Sequence, residues 1–299
     1  MNYYYGTGKS LMQIINVETL RGLVLKGVMW GNPSDMDTVV IMMSGICSNV
    51  FQNELLPTSG KLLCQNNVAF ICGQAMDAFS FIGYSNLKTK KQVTTGVVTN
   101  DFNVVYEDVE AYVKYAKNLG FKRIILAGHS LGSNKIINYL ANTPDNLIDY
   151  FIVSAPIDLA HFWNIIKDKD MYIQTANKFV AEGRGKDILP FLFMGFSPMC
   201  ADTLLAFYNA ENLKNCPVVS HDGETNSLSS IRINGTFIIG SNDNMAGDNA
   251  EVFIRKINSY CKHPEKNRIV IIPYASHIFY GKHKEYAEAI LETVSHCSI

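Results

Sequence analysis

The segment 123–140, which reads RIILAGHSLGSNKIINYL, constrains the fold of this chain more than any other. Its apolar residues 124–127 predict a short buried strand, and the apolar spacing after the two glycines predicts a helix. A strand that reverses into a helix within a few residues brings two backbones too close for side chains, which explains Gly128 and Gly132. The turn should hold Ser130 in a strained conformation at the N-terminal end of the helix, where negative charge is stabilised.

The Gly-x-Ser-x-Gly pattern between a strand and a helix resembles the nucleophile elbow of the α/β-hydrolase superfamily. A bare match carries little weight, because glycine and serine are common in flexible linkers. Here the strand before it and the helix after it favour a catalytic serine over an ordinary turn. The resemblance covers about residues 20–295. It implies an α/β fold with a mostly parallel, roughly eight-stranded sheet flanked by helices and an inserted helical cap.

Composition excludes several classes of protein. With 299 residues and 47% hydrophobic content, the chain can form one large core with an inserted unit. Lys and Arg number 26 against 27 Asp and Glu, and no basic run is interleaved with aromatics, so we expect no nucleic-acid partner. Residues 1–22 lack a continuous apolar run, and no stretch approaches about 18 apolar residues. We therefore expect a soluble, unexported, cytoplasmic protein without stable membrane insertion.

Seven cysteines are scattered without a Cys-x-x-Cys pair or a Cys/His spacing typical of a metal site. An odd number without such pairs favours reduced thiols over a disulfide framework or a zinc centre. We expect neither a metal nor an organic cofactor. The sequence leaves the oligomeric state open between a monomer and a homodimer.

Hydrophobic patterning predicts the order of strands and helices along the core. The predicted strands are Leu20–Trp30 (antiparallel), Thr38–Met43, Val68–Cys72, Tyr150–Ser154, Ile231–Ile239 and Arg268–Ile272. The predicted helices are Gln52–Gln65, interrupted near Pro57, then Asp101–Leu119, Ala250–Tyr260 and Lys284–Ser295. Residues 79–99 are polar and irregular, and they predict an excursion on the surface.

The alternation of strands and helices breaks down between residues 158 and 230, where aromatic residues and methionines are frequent. This predicts a core of residues 1–157 and 231–299 interrupted by a helical cap, 158–230. The aromatic content indicates an apolar substrate pocket beneath the cap, and we expect Trp163 and Phe196 to line it. A cap that packs only on itself is the alternative.

The resemblance implies that the catalytic residues follow one another along the chain in the order Ser, Asp or Glu, and His. Two loops after Ser130 carry an acid and a histidine in this order. In open parallel sheets ligands collect beyond the C-terminal ends of strands. His277 follows the strand Arg268–Ile272 as the candidate base, and Asp243 follows the strand Ile231–Ile239 as the candidate acid. Ser130 would be the nucleophile. Its hydroxyl needs a base to take its proton, and the base needs a third group to orient its ring, which His277 and Asp243 would supply.

Two other carboxylates compete with Asp243. Asp248 lies five residues further on, where it could instead cap the following helix, and Asp158 ends another strand at a place where some superfamily members carry the acid. Among the remaining histidines, His129 is expected to pack beneath the elbow and His161 to belong to the cap.

An oxyanion intermediate needs two backbone N–H donors. By the resemblance, Leu131 gives one, and the loop after Thr38–Met43 gives the other. Similar hydrolases usually have His-Gly-x in that loop, whereas this chain has Ser44-Gly45-Ile46-Cys47. Ile46 is the donor by position, with Cys47 as the alternative. An Asp-x-Arg-Gly-x-Gly run that many similar hydrolases carry after the next strand is also missing here.

The expected function is hydrolysis of a carboxylic ester or thioester with a small to medium, largely apolar acyl group, through an acyl-enzyme on Ser130. A second interpretation keeps the acyl-enzyme but transfers the acyl group to an alcohol or amine, or cyclises it. A third is a non-catalytic protein that binds a ligand on the same fold, which the complete set of triad candidates disfavours.

Overall fold

A mostly parallel eight-stranded sheet forms the centre of the computed structural model, which describes residues 12–144, 147–217 and 227–297. In chain order the strands of the described residues are β1 (Met12–Glu18), β2 (Val24–Trp30), β3 (Thr38–Met43), β4 (Ala69–Gly73), β5 (Ile82–Asn86), β6 (Lys91–Thr95), β7 (Arg123–His129), β8 (Tyr150–Ser154), β9 (Gly235–Gly240) and β10 (Arg268–Ile272). All but β5 and β6, which form a separate hairpin, belong to the sheet.

The strands follow the order β1-β2-β4-β3-β7-β8-β9-β10. β2 is antiparallel to both β1 and β4, and the six strands from β4 to β10 run parallel. The middle strands β3 and β7 are buried along nearly their whole length, which is why they read as continuous apolar runs. Ser130 follows β7 directly and therefore lies at the C-terminal edge of the sheet, near its middle.

Helices flank the sheet, which confirms the predicted fold class. Their bounds are α1 (Leu55–Gln65), α2 (Val105–Asn118), α3 (Leu131–Asn142), α4 (Leu159–Ile165), α5 (Lys169–Ala181), α6 (Ala201–Tyr208), α7 (Glu211–Lys214), α8 (Ala250–Ser259) and α9 (His283–His296). α1 packs against α9, and α2 packs against α3. In the described part of the chain, no helix is both long and apolar enough to cross a membrane.

Three local predictions were wrong. The sheet begins with β1, which the sequence patterning missed, and the predicted strand Leu20–Trp30 is shortened to Val24–Trp30. Pro57 does not interrupt α1, because it lies in the first turn, where a backbone N–H has no intrahelical acceptor to lose. The irregular conformation predicted for residues 79–99 was wrong, because these residues contain the hairpin β5–β6.

Between β8 and β9 the described residues contribute helices α4 to α7 and no strand of the sheet. Their apolar side chains form a second hydrophobic cluster, including Trp163, Phe193 and Phe207, which reaches the elbow at Leu131. The proposed boundaries of the cap stay a prediction, and residues 218–226 of it lie outside the described residues. The prediction that the protein is not exported rests partly on residues 1–11, which also lie outside the described residues.

Candidate active site

Ser130 lies between the end of β7 and the start of α3 and has a positive φ angle, with φ +56° and ψ −129°. Such an angle is rare for a residue with a side chain, so the surroundings must enforce it. A Cβ on Gly128 would lie 2.5 Å from the carbonyl oxygen of Gly132, and one on Gly132 would lie 2.1 Å from that of Met43. Both glycines are therefore required by close backbone approach.

Ser130, His277 and Asp243 form one hydrogen-bonded chain. The Oγ of Ser130 lies 2.9 Å from Nε2 of His277, and Nδ1 of His277 lies 3.0 and 3.1 Å from the two carboxylate oxygens of Asp243. With Nδ1–H donating to the carboxylate, Nε2 is left as an acceptor for the serine proton. The structure thus brings together the three residues that the sequence singled out, in the geometry of an activated nucleophile.

The loops that carry Asp243 and His277 are bound to each other beyond the neighbouring strands β9 and β10. The N–H of Asn242 donates to the carbonyl of Ala275 at 2.9 Å, and the N–H of Tyr274 donates to the hydroxyl of Ser241 at 2.7 Å. Asp243 is buried, and its carboxylate also accepts the N–H of Met245 at 2.9 Å. These contacts fix the acid relative to the base.

The two competing carboxylates have other positions. Asp158 caps α4, where its carboxylate accepts the N–H of His161 at 3.0 Å. Asp248 is exposed, and the cap of α8 is its neighbour Asn249, whose side chain accepts the N–H of Val252. The capping role suggested for Asp248 is therefore wrong.

Two backbone N–H groups beside Ser130 are free for a ligand. Leu131 is the first residue of α3, so its N–H has no intrahelical acceptor. The 44–46 backbone lies against the serine, since a Cβ on Gly45 would sit 3.0 Å from Ser130 Cβ. Among the described residues Ile46 N–H has no acceptor, whereas Cys47 N–H donates to the carbonyl of Asp77 at 2.9 Å. The alternative donor Cys47 is thus already engaged.

His129 lies buried beneath the elbow, where its Nε2–H donates to the backbone carbonyl of His277 at 2.9 Å. Its ring centroid is 5.6 Å from that of His277 and 5.8 Å from that of Phe279. Burial, and secondarily the neighbouring His277, lowers the pKa of His129 from its ordinary 6.5 to about 4. The sequence placed this ring correctly but could not show its contact with a residue so distant along the chain.

An apolar cavity of about 270 Å³ opens at Ser130 and His277. Its walls include Phe162, Phe193, Phe207, Met245 and the half-exposed Phe196. Phe196 thus lines the pocket, as expected.

Trp163 does not lie on this wall, and the structure contradicts the prediction made for it. It is 2% exposed and packs behind the wall, with its ring centroid 5.3 Å from Phe193 and 5.5 Å from Phe207. Successive side chains on a helix point about 100° apart, and here Phe162 faces the cavity while Trp163 is turned away from it.

A second cavity, of about 490 Å³, adjoins the first and shares five lining residues with it, Ile46, Ser48, Asn53, Phe196 and Ile278. Its remaining wall carries several polar side chains, including Glu54 and His283, and Nδ1 of His283 lies 3.8 Å from the Glu54 carboxylate. None of the described residues that line it is Lys or Arg. No cluster of His, Cys, Asp and Glu within the described ranges has the arrangement of a metal site.

The buried His129 predicts a specific loss of stability in acid. The unfolded chain binds a proton near pH 6.5 that the folded chain does not bind until about pH 4. Stability from this group is therefore complete above pH 6.5 and falls as the pH is lowered towards 4, by on the order of 3 kcal/mol. His129→Gln keeps a hydrogen-bond donor without the titration, so its free energy of unfolding in urea should fall less between pH 7 and pH 4.5.

The matched control is His161→Gln, which removes an exposed histidine from α4. It should lose as much stability over this interval as the wild type. Identical losses in the wild type and His129→Gln would contradict the assignment of this acid sensitivity to His129.

Comparisons with known proteins agree with this architecture. Est1E from Butyrivibrio proteoclasticus superposes with a TM-score of 0.59 at 15% identity, over 95% of this chain and 98% of that one. DcsB, solved with its substrate analogue, gives 0.67 at 14% identity over 95% and 98%. The esterase Pf2001 from Pyrococcus furiosus gives 0.57 at 16% identity over 99% and 98%. At such identities the likeness shows the fold, which is that of the α/β-hydrolase superfamily.

No curated protein matches the chain. The sequence profile of one family, described as "Protein of unknown function (DUF1749)", matches residues 67–296, which include Ser130, Asp243 and His277. Since the match spans most of the chain, the protein belongs to this family of α/β-hydrolase-like proteins.

Proposed function

We propose that the protein is a serine hydrolase that cleaves carboxylic esters through an acyl-enzyme on Ser130. The observation that carries the proposal is the hydrogen-bonded chain from Ser130 through His277 to Asp243. The neighbours with the same fold include proteins described as esterases, which supports the same reaction class.

The proposed reaction uses each of these groups in turn. Nε2 of His277 takes the hydroxyl proton while Oγ of Ser130 forms a bond to the ester carbonyl carbon, and the carbonyl oxygen becomes an oxyanion. The N–H groups of Ile46 and Leu131 stabilise that charge, each by about 3 kcal/mol. The imidazolium, paired with Asp243, then protonates the departing alcohol oxygen as the C–O bond breaks. Water attacks the acyl-enzyme with His277 as base, which releases the acid and restores the serine.

The two cavities divide the substrate between them. The apolar cavity suits a small to medium acyl group, since its volume lies just below the usual range for ligand pockets. The larger cavity, which carries more polar side chains than the first, would receive the leaving group. Its wall carries the carboxylate of Glu54 and, among the described residues, no Lys or Arg to pair with phosphates. We therefore favour uncharged alcohols as leaving groups over the phosphate-rich coenzyme A of acyl thioesters.

The proposal is tested first by labelling with a fluorophosphonate probe, which should modify Ser130 stoichiometrically. Ser130→Ala should abolish both labelling and the hydrolysis of p-nitrophenyl esters. Ser276→Ala is the control, because the Ser276 hydroxyl is buried beside His277 without a hydrogen-bond partner among the described residues. Labelling that persists in Ser130→Ala would remove the basis of the proposal.

The same assay compares leaving groups at one acyl length. Oxygen esters and N-acetylcysteamine thioesters should be hydrolysed faster than the coenzyme A thioester. Acyl transfer, the alternative reaction, would appear as a new ester when a primary alcohol is added.

Asp243→Asn should lower turnover by a factor on the order of 10⁴ with little change in melting temperature. The amide keeps the shape of the carboxylate but favours the wrong tautomer of His277 and does not stabilise its charged form. Asp248→Asn removes an exposed carboxylate and should keep turnover within a few-fold of the wild type. Asp158→Asn should also stay active, since asparagine caps a helix about as well as aspartate. A normal rate for Asp243→Asn would reject the assigned acid.

Phe196→Ala should change the preferred acyl length, whereas Trp163→Ala should lower stability without changing that preference. Phe196 lines the apolar cavity and is 52% exposed, so truncating it enlarges the pocket at modest cost. Truncating the buried Trp163 leaves a void, which typically costs about 3–5 kcal/mol. The measurements are kcat/KM across p-nitrophenyl esters of graded length and urea unfolding. If Trp163→Ala changed the preferred acyl length and Phe196→Ala did not, the assignment of Phe196 to the pocket wall would be wrong.

A further inference from the structure

A fully buried ion pair lies next to the site and has no role in the reaction described above. Lys135 of α3 places its Nζ 2.5 Å from Oδ1 of Asp77, and the two side chains are 0% and 1% exposed. Asp77 belongs to a short 3₁₀ turn, Met76–Ala78, that follows β4. Lys135 lies five residues after Ser130 on the helix that begins at the elbow.

This ion pair is a poor stabiliser of the fold. Burying two charges carries a large desolvation cost, which is recovered only when the remaining hydrogen-bonding capacity of both groups is used. The second carboxylate oxygen of Asp77 is buried without a donor among the described residues. Apolar side chains of similar size would therefore stabilise the fold at least as well, and a role in geometry becomes the better explanation.

The turn that contains Asp77 holds the loop that contains Ile46. Cys47 N–H donates to the carbonyl of Asp77 at 2.9 Å, and the side-chain amide of Asn49 donates to the carbonyl of Ala78 at 3.1 Å. At the next residue of the loop, the N–H of Val50 donates to the side-chain oxygen of Gln74 at 2.9 Å. The position of the 44–50 loop thus follows the position of residues 74–78.

The two proposed oxyanion donors belong to different elements, and the ion pair connects these elements. Leu131 moves with α3, whereas Ile46 moves with the 44–50 loop. The pairing of β3 with β7 fixes where the loop and the helix begin, and the contacts of Gly45 and Gly132 set how closely they approach there. Beyond Gly45, the described backbone bonds of the loop to the rest of the protein run to the turn that contains Asp77. The attraction between Lys135 and Asp77 links α3 to the turn that carries the loop.

The far side of the same turn is also anchored. Met76 N–H donates to the carboxylate of Asp108 at 2.9 Å, and Asp108 is paired with Arg21. The turn is therefore fixed to α2 on one side and to α3 on the other, so its position is determined by charged contacts.

We propose that the Lys135–Asp77 ion pair is a positioning device that sets the spacing between the N–H groups of Ile46 and Leu131. This inference rests on the proposed function, since it concerns the stabilisation of the oxyanion. Lys135 and Asp77 do not touch the reacting atoms, and they act through the backbone that they hold. Their loss should weaken binding of the transition state more than binding of the ester.

The experiment compares Lys135→Met, Asp77→Asn and the double variant Lys135→Met/Asp77→Leu with the wild type. kcat and KM for a p-nitrophenyl ester are measured per active site titrated with fluorophosphonate, well below the melting temperature. We expect the single variants to lose at least about tenfold in kcat with KM within about threefold, since small misplacements of catalytic groups are costly. Asp77→Asn, which retains an acceptor for Lys135, should lose less than Lys135→Met.

A boronic acid inhibitor supplies a second readout, because its tetrahedral adduct mimics the oxyanion. Its affinity should fall in parallel with kcat across the variants. Arg255→Met is the matched control, since it breaks the exposed Arg255–Glu251 pair on α8, and it should leave kcat and inhibitor affinity unchanged.

The double variant separates positioning from stability. Apolar replacement should restore the melting temperature while kcat per titrated site and boronic acid affinity stay low, which supports the proposal. Unchanged kcat per titrated site in the variants that fold, with only the melting temperature altered, would overturn it. Failure of the proposed function has a different signature, because the wild type itself would then lack hydrolysis dependent on Ser130.

Discussion

Everything at this site depends on how closely three backbone segments approach one another at the elbow. Gly132 lies against the end of β3, Gly128 lies against Gly132, and Gly45 lies against Ser130. This crowding keeps Ser130 at a positive φ angle, with a helix N-terminus directly behind it. A side chain at Gly128 or Gly132 would clash with backbone and separate the segments, and the nucleophile and its neighbouring N–H groups would no longer share one small space.

The sequence was sufficient for the residues whose positions follow from topology. The C-terminal ends of parallel strands meet at one edge of a sheet, so loops after β7, β9 and β10 had to bring Ser130, Asp243 and His277 near each other. The fold class was equally accessible, because strands buried on both faces read as apolar runs. Strand β1 was missed because it lies at the edge of the sheet, is partly exposed and has a weaker pattern.

Side-chain direction and long-range hydrogen bonding could not be predicted in this way. Phe162 and Trp163 are chemically similar neighbours, and only the packing of the surrounding helices decides which of them faces the cavity. Cys47 was a reasonable donor until its N–H was found to be bonded to Asp77. The burial of Lys135 had no sequence signal, because a single lysine on a helix is usually solvent-exposed and its partner is 58 residues away.

The contact between His129 and the carbonyl of His277 closes a ring of atoms around the site. From Ser130 the ring runs through its hydroxyl to the His277 imidazole, along that residue to its carbonyl, across to the His129 imidazole, and back through one peptide bond to Ser130. A cyclic arrangement has fewer independent motions than an open chain of the same length. Nucleophile and base can therefore move apart freely only if both hydrogen bonds break, because the loss of one leaves the two residues linked through the other. Rearrangements of the overlying helices can change access to Ser130 while its distance from His277 is preserved.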